Sequence, residues 1–236
     1  MKKIVLSIFC LVAVVETKAQ VFAQDFNQSA NLKDYVKKSS PGSGQLNVAD
    51  ADGEGKVSIV NSKLKLSKNG AGGRPFMVRS TPLDIPSQAL SFSFKIEAKA
   101  QGDATAYLAL GNEFNHDALP DDPSKCAVRL LFKLLPKGFS LRNTNQGQDG
   151  PNQYTGEQEI KWIVNRSGKM QTYTAPDGSE QTVAADRWDL WVGKTKEFDE
   201  AGFTSTKQQL NNFKFSFLSS AGEITLDDLV IKELSK

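Results

Sequence analysis

Cysteine is nearly missing: Cys10 and Cys126 are the two in 236 residues. Cys10 sits inside the apolar run 4–15 behind Phe9, where an acylation signal carries a small residue, so lipidation is not expected. Cys126 is then alone, no intramolecular disulfide can form, and stability must come from core burial. Histidine occurs once, at His116. An excess of one charge is also missing. Without Lys2, Lys3 and Lys18 on one side and Glu16 on the other, 26 charges of each sign remain. A formally neutral chain with no basic run is a poor partner for a phosphate backbone, which excludes nucleic acid as the expected ligand and argues against a membrane surface. Past residue 15 no apolar run is long enough for a membrane helix, so an integral membrane protein is not expected.

What is present begins with an export signal. Lys2 and Lys3 precede the apolar run, and Thr17-Lys18-Ala19 puts small residues at the −3 and −1 positions of a cleavage site. Residues 1–19 therefore read as a secretory signal peptide and 20–236 as one mature domain, secreted to the periplasm, the cell surface or the medium. The remaining 217 residues can bury a large core without covalent staples.

The clearest patterning lies in residues 159–193. Ile160, Trp162 and Val164 alternate with Lys161, Ile163 and Asn165, the period of a strand with one face on a core. Turn residues follow at 165–169, then a return strand through Gln171 and Tyr173, closed by Pro176-Asp177-Gly178-Ser179. In the next strand Trp188, Leu190 and Val192 share one face while Asp189 and Trp191 share the other. One tryptophan is expected in the core, and Trp191 is the better candidate for exposure.

Elsewhere the same grammar repeats. Phe22 and Phe26 share a side of an opening strand, and residues 56–67 read as a hairpin turning at Asn61-Ser62. Leu90, Phe92, Phe94, Ile96 and Ala98 alternate strictly with polar residues, and Phe213, Phe215 and Phe217 do so again. Residues 111–125, 143–156 and 194–206 read as loops or irregular chain, and 205–211 as one or two helical turns. The phase change at Asp227-Asp228 predicts a β-bulge in the last strand. Ten or eleven short strands with no linker predict an all-β fold: a two-sheet antiparallel β-sandwich with at most one short helix.

Gln24-Asp25-Phe26, the VNSKLKLS hairpin, the LSFSFKIEA strand and the closing ITLDDLVI together resemble concanavalin A-like (laminin-G-like) jelly-roll domains of secreted bacterial proteins. That resemblance implies paired first and last strands and, often, glycan binding or cleavage. The E-x-D-x-x-E strand of jelly-roll glucanases is not found, and His116 lacks the QIH context of jelly-roll alginate lyases. The resemblance further implies a structural calcium where the terminal strands meet, with Asp25 and Asp227 or Asp228 as ligands.

Three other groups carry possible chemistry. Asp50-Ala51-Asp52-Gly53-Glu54-Gly55 opens like a calcium loop, but its twelfth position is Asn61, which cannot supply the bidentate carboxylate. His116 lies among Glu113, Asp117, Asp121 and Asp122 and could be a base oriented by a carboxylate, a ligand in a mixed site, or simply an exposed side chain; Cys126 carries no sign of activation. Trp188, Trp191, Tyr154, Asn152 and Gln153 supply the aromatic faces and amides that a sugar site needs. The expected function is a non-catalytic, glycan-binding exported module. An enzyme with an unrecognised acid/base pair and a structural or adhesive envelope protein are the alternatives.

Overall fold

Strict alternation of apolar and polar residues commits both faces of each strand, and the chain resolves that demand by stacking two sheets. A computed structural model describes residues 20–70 and 72–234; the expected signal peptide lies outside the described residues. One sheet runs β15 (Thr195–Gly202), β14 (Arg187–Val192), β11 (Gln158–Asn165), β6 (Ala89–Ala100), β17 (Gly222–Glu233), β4 (Lys63–Lys68) and β3 (Gly55–Val60), with β1 (Gln20–Gln24) also paired to β17. The second runs β10 (Gln148–Thr155), β9 (Gly138–Asn143), β8 (Cys126–Leu135), β7 (Ala104–Gly111), β16 (Asn212–Ser219), β5 (Arg74–Arg79) and β2 (Val48–Asp52). A separate hairpin joins β12 (Gln171–Thr174) to β13 (Glu180–Val183). Every pairing between these strands is antiparallel. This is the expected all-β fold, a two-sheet antiparallel β-sandwich, and β1 pairs with β17 as the resemblance implied.

Register explains the core. Ile231, Phe92, Trp162 and Leu190 stand opposite one another across four strands of the first sheet. Facing them, Met77, Phe215, Leu108 and Leu130 form a matching row across the second. All eight belong to one buried cluster. Trp162 and Trp188 meet edge to face at 5.7 Å between ring centres, an arrangement that adds about 0.5–1.5 kcal/mol beyond the area it buries. Trp188 also donates its indole N–H to the Gly202 carbonyl at 2.8 Å.

Each sheet carries a cover on its outer face. The β12–β13 hairpin lies over β11 and β14, packing Tyr173, Ala175 and Val183 against Ile163 and Trp191. Residues 112–125 lie over β7, β16 and β5, with Phe114 and Ala118 against Phe76, Val78 and Tyr107.

Several local expectations change. The described residues hold seventeen strands, not ten or eleven. The polar stretch 143–156 contains the edge strand β10, and 194–206 contains β15. No helix forms over 205–211; the two short 3-10 helices lie at Leu32–Tyr35 and Pro123–Lys125. The Asn61-Ser62 turn has φ of 51° and 59°, the pairing of left-handed residues that a two-residue hairpin requires. The bulge in β17 falls between Asp227 and Val230, with Asp228 at φ 50°.

Candidate functional site

The end of β1 and the β17 bulge form one wall of a cleft, and the irregular segment after β1 forms the other. That segment folds onto itself through side chain to backbone bonds. Gln24 accepts from the Phe26 N–H at 2.8 Å and donates its amide to the Gly44 carbonyl. Gln45 donates to the Asp34 carbonyl at 3.2 Å and accepts from the Gly42 N–H at 3.1 Å. Tyr35 anchors the fold from within: its ring packs on Phe26 at 5.3 Å, and its hydroxyl donates to the Ser29 carbonyl at 2.8 Å. Gly44 is needed for close approach, because a Cβ there would stand 2.5 Å from the Ala23 carbonyl oxygen.

The cleft is open to solvent, about 590 Å3 in volume, and lined by Asp25, Asp34, Asp228, Gln24, Gln28 and Gln45 among others. This volume falls within the range of roughly 300–1,000 Å3 for small-molecule clefts. Its walls carry carboxylates, which accept hydrogen bonds, and primary amides, which both donate and accept. A polyhydroxylated molecule is the chemistry such a lining matches.

The same geometry bears on the expected metal site. Asp25 and Asp228 do line one cleft. The Asp228 carboxylate, however, is held by Lys95 at 2.8 Å, and Asp227 turns its Oδ1 to the Asp228 N–H at 2.8 Å. The described residues contain no group of three or more His, Cys, Asp or Glu placed to hold a metal ion. Of the expected calcium ligands Asp25 and Asp228 thus share the cleft, while the bulge directs the Asp228 carboxylate to a lysine and Asp227 to its own backbone. The stretch from Asp50 to Gly55 does not make a calcium loop. Residues 50–52 belong to β2, and the turn at Gly53 packs on Gly73, where a Cβ would lie 2.1 Å from the Gly55 nitrogen.

Asp227 gives a pH test of this corner. Burial raises its carboxyl above the ordinary value of 3.8; the Asp228 N–H opposes the rise, the Asp228 charge adds to it, and Lys63 and Lys95 oppose it. A raised folded-state value means that the folded chain holds more protons in that window, so stability falls as pH rises through it. Asp227→Asn keeps the acceptor for the Asp228 N–H and removes the charge. It is expected to stabilise the protein at pH 7 by under about 1 kcal/mol, with the gain gone near pH 3. Urea denaturation at both pH values checks this, and an equal gain at pH 3 would overturn it.

The structure separates the residues expected to bind sugar. Trp188 is in the core, 1% exposed, and Trp191 is 5% exposed beneath the β12–β13 hairpin. Trp191 cannot offer a ring face to a ligand there, because the hairpin occupies the outer side of β14. Tyr154 and Asn152 do come together, on β10, but around a residue the sequence did not single out. The Glu197 carboxylate accepts from the Tyr154 hydroxyl at 2.5 Å and the Asn152 amide at 2.7 Å, and the Asn152 N–H reaches its other oxygen at 3.4 Å. Burial, and then the adjoining Glu197, push the Tyr154 phenol well above its ordinary value. Glu197 is 5% exposed, so this trio closes the β10 and β15 edges of the sandwich against each other and resembles a structural clasp more than an acid/base pair. Gln153 is exposed on β10. His116 is also exposed, and its Nε2 meets the Ser80 hydroxyl. Cys126 is buried, and burial pushes its thiol up to about 11, which leaves it unreactive at neutral pH.

The cleft residues Gln24, Gln28, Asp34 and Gln45 were missed. The one signal was a run of Gln, Asp, Ser and Gly through 24–45 with no hydrophobic period, which reads equally well as solvated loop.

No family model matches the sequence, and no curated protein does. Solved structures do match in fold. A carbohydrate esterase of the Shiga toxin-encoding bacteriophage phi24B superposes with a TM-score of 0.58 at 8% identity, over 92% of this chain and 100% of that one. A Bacillus subtilis protein described as of unknown function with a galectin-like fold gives 0.54 at 10% identity, over 92% and 98%. The carbohydrate recognition domain of Emp46p, in a potassium-bound form, gives 0.52 at 12% identity, over 81% and 95%.

Proposed function

We propose that this chain is an exported, non-catalytic β-sandwich module that binds a glycan in the cleft between the β17 bulge and residues 24–45. The observation that carries the reading is the lining of that cleft. Asp25, Asp34 and Asp228 stand with Gln24, Gln28 and Gln45 around 590 Å3, a set suited to sugar hydroxyls. The carbohydrate recognition domain among the structural neighbours supports it, and the signal-like residues 1–19 support export. A non-catalytic role agrees with the engagement of Glu197, whose oxygens are taken up by Tyr154 and Asn152.

The test is a glycan-array screen of the purified protein, followed by titration of any hit against the double variant Asp25→Ala, Gln28→Ala. Both residues are exposed, so the fold should survive. Loss of a hydrogen bond to the charged Asp25 acceptor, worth about 1.5–3 kcal/mol, predicts at least a tenfold weaker Kd. A chelator should leave binding unchanged, since Lys95 already neutralises Asp228. Unchanged affinity in the double variant would move the site elsewhere, and an empty array would reject the module.

A further inference from the structure

Arg187 opens β14 and Gly202 closes β15, and register sets the two directly opposite each other. Side chains so placed share one face of the sheet, so the arginine lies over bare backbone where a partner side chain would stand. The β9–β10 turn of the other sheet reaches the same spot. A Cβ at Gly202 would lie 3.2 Å from Arg187 Nη1, 3.5 Å from Asn145 Nδ2 and 3.9 Å from Gln146 Nε2. Outside the adjoining chain these are its three nearest heavy atoms, and all three carry N–H donors.

The turn is held in place from below. Asn143, 0% exposed, donates its amide to Gln146 Oε1 at 2.6 Å and takes the Asn145 and Gln146 N–H groups on its own oxygen at 3.1 and 3.4 Å. That uses the oxygen of the Gln146 amide and leaves its nitrogen toward Gly202. Acceptors are what this corner lacks. Among the described residues no carboxylate pairs with Arg187, not even Asp186, its neighbour in sequence. Glu200, two residues before Gly202, has both oxygens on the Ala184 N–H at 2.9 and 3.2 Å. Arg166 follows Asn165, the β11 residue opposite Arg187, and among the described residues it pairs with no carboxylate either. One of its terminal nitrogens donates to the Thr206 carbonyl, while its Nε is buried without a partner, as is the Thr204 hydroxyl two residues past Gly202. Buried polar atoms without partners are exceptions in a folded protein, and a bound anion is what an excess of donors calls for.

We propose that this corner binds the carboxylate of an acidic saccharide, with Arg187 donating to both carboxylate oxygens and the Asn145 and Gln146 amides meeting that group and the adjoining ring hydroxyl. A guanidinium presents two parallel N–H donors that a carboxylate matches, and Gly202 lets the group settle against backbone. The anion half rests on the donors alone, and the saccharide half rests on the glycan-binding reading above. None of these residues lines the Asp25–Asp228 cleft, so the two sites can be tested apart.

The test is an NMR-detected titration of the purified protein with glucuronate, acetate and glucose. Glucuronate is expected to shift the amides of Asn145, Gln146 and Gly202, acetate to shift them at higher concentration, and glucose to leave them in place. Arg187→Gln, at an exposed side chain and so safe for the fold, should weaken glucuronate at least tenfold. Gly202→Ala removes no charge but puts a methyl group among the three nitrogens, and it should weaken glucuronate as well. Glucuronate shifts undiminished in both variants would overturn the assignment, as would silence of the wild-type protein toward both anions. Acetate binding as tightly as glucuronate would overturn the saccharide half and keep the anion half. Glycan binding that Asp25→Ala, Gln28→Ala abolishes, with no glucuronate shifts here, would overturn this site and leave the cleft reading standing. An empty glycan array together with glucuronate binding here would do the reverse.

Discussion

Asp121→Ala is expected to lower the free energy of unfolding by about 3–5 kcal/mol, because it strands a buried ammonium. Lys214 lies on β16, a strand internal to its sheet, paired with Val78 and Ala109 and 0% exposed. Its alternation partners Phe213 and Phe215 point into the core, which puts Lys214 on the outer face under residues 112–125. There it meets the Asp121 carboxylate at 2.9 Å, the Leu119 carbonyl at 2.8 Å and the Asn115 carbonyl at 3.3 Å. The Phe76 ring lies 5.7 Å away, and Asp117 comes within 3.7 Å. Asp121 is itself fixed, accepting from the Asn115 N–H at 2.8 Å. Three acceptors match the three donors of an ammonium, so the loop is built around the charge. Removing only the buried carboxylate leaves that charge with two carbonyls and, as its remaining counterion, the half-exposed Asp117 at 3.7 Å. Replacing both partners, as Asp121→Leu with Lys214→Met, should return stability to near the wild-type value or above it, since a well-packed apolar pair avoids the desolvation of two ions. Urea denaturation at pH 7 of the two single variants and the double variant gives the coupling directly. A loss below about 1 kcal/mol in Asp121→Ala would show that water reaches Lys214 and that the loop is not closed over it.

That pair also shows where sequence reading stops. The inner faces were legible because burial on one side imposes a period of two, and β6, β11 and β16 follow it with almost no exceptions. Outer faces carry no such rule. Lys214 reads as a solvent-facing lysine between two phenylalanines, and only the loop that returns over it makes it buried. The edge strands escaped for a different reason. β10 has the sequence QDGPNQYT with exposed and half-buried residues in alternation, so its polarity masks its period, and Pro151 is tolerated because an edge strand can spare an N–H. β15 is interrupted by register shifts against β14, which break the alternation that would have marked it. The candidate sites were the least legible feature. One is assembled from a bulge and a coil that lie about 200 residues apart in sequence, and the other from a turn and the ends of strands whose middles look ordinary.

Trp191 turns the same lesson into a measurement. Alternation places it on the face opposite Trp188, which implies exposure, but the outer face of β14 is covered by the β12–β13 hairpin. The indole N–H donates to the Tyr173 hydroxyl at 3.0 Å, and that hydroxyl donates to Asp189 at 2.5 Å. Asp189 is 0% exposed and also takes the Glu200 N–H at 2.7 Å and the Lys196 ammonium at 3.1 Å. Lys196 in turn lies 5.3 Å from the Trp191 ring, so the tryptophan fills space, supports a hydrogen-bond chain and faces a cation at once. Trp191→Ala is therefore expected to destabilise the fold by about 3–5 kcal/mol, the range for removing a large buried aromatic, and to speed amide exchange in β12 and β13 before the rest of the sandwich. Trp191→Phe should recover most of that stability, losing mainly the donor to Tyr173 at about 1 kcal/mol. Glycan affinity, measured where both variants remain folded, should not change. The opposite result, with stability intact and binding lost, would mean that the hairpin opens and that Trp191 is a sugar platform after all. The site would then move from the β17 bulge to the outer face of β14.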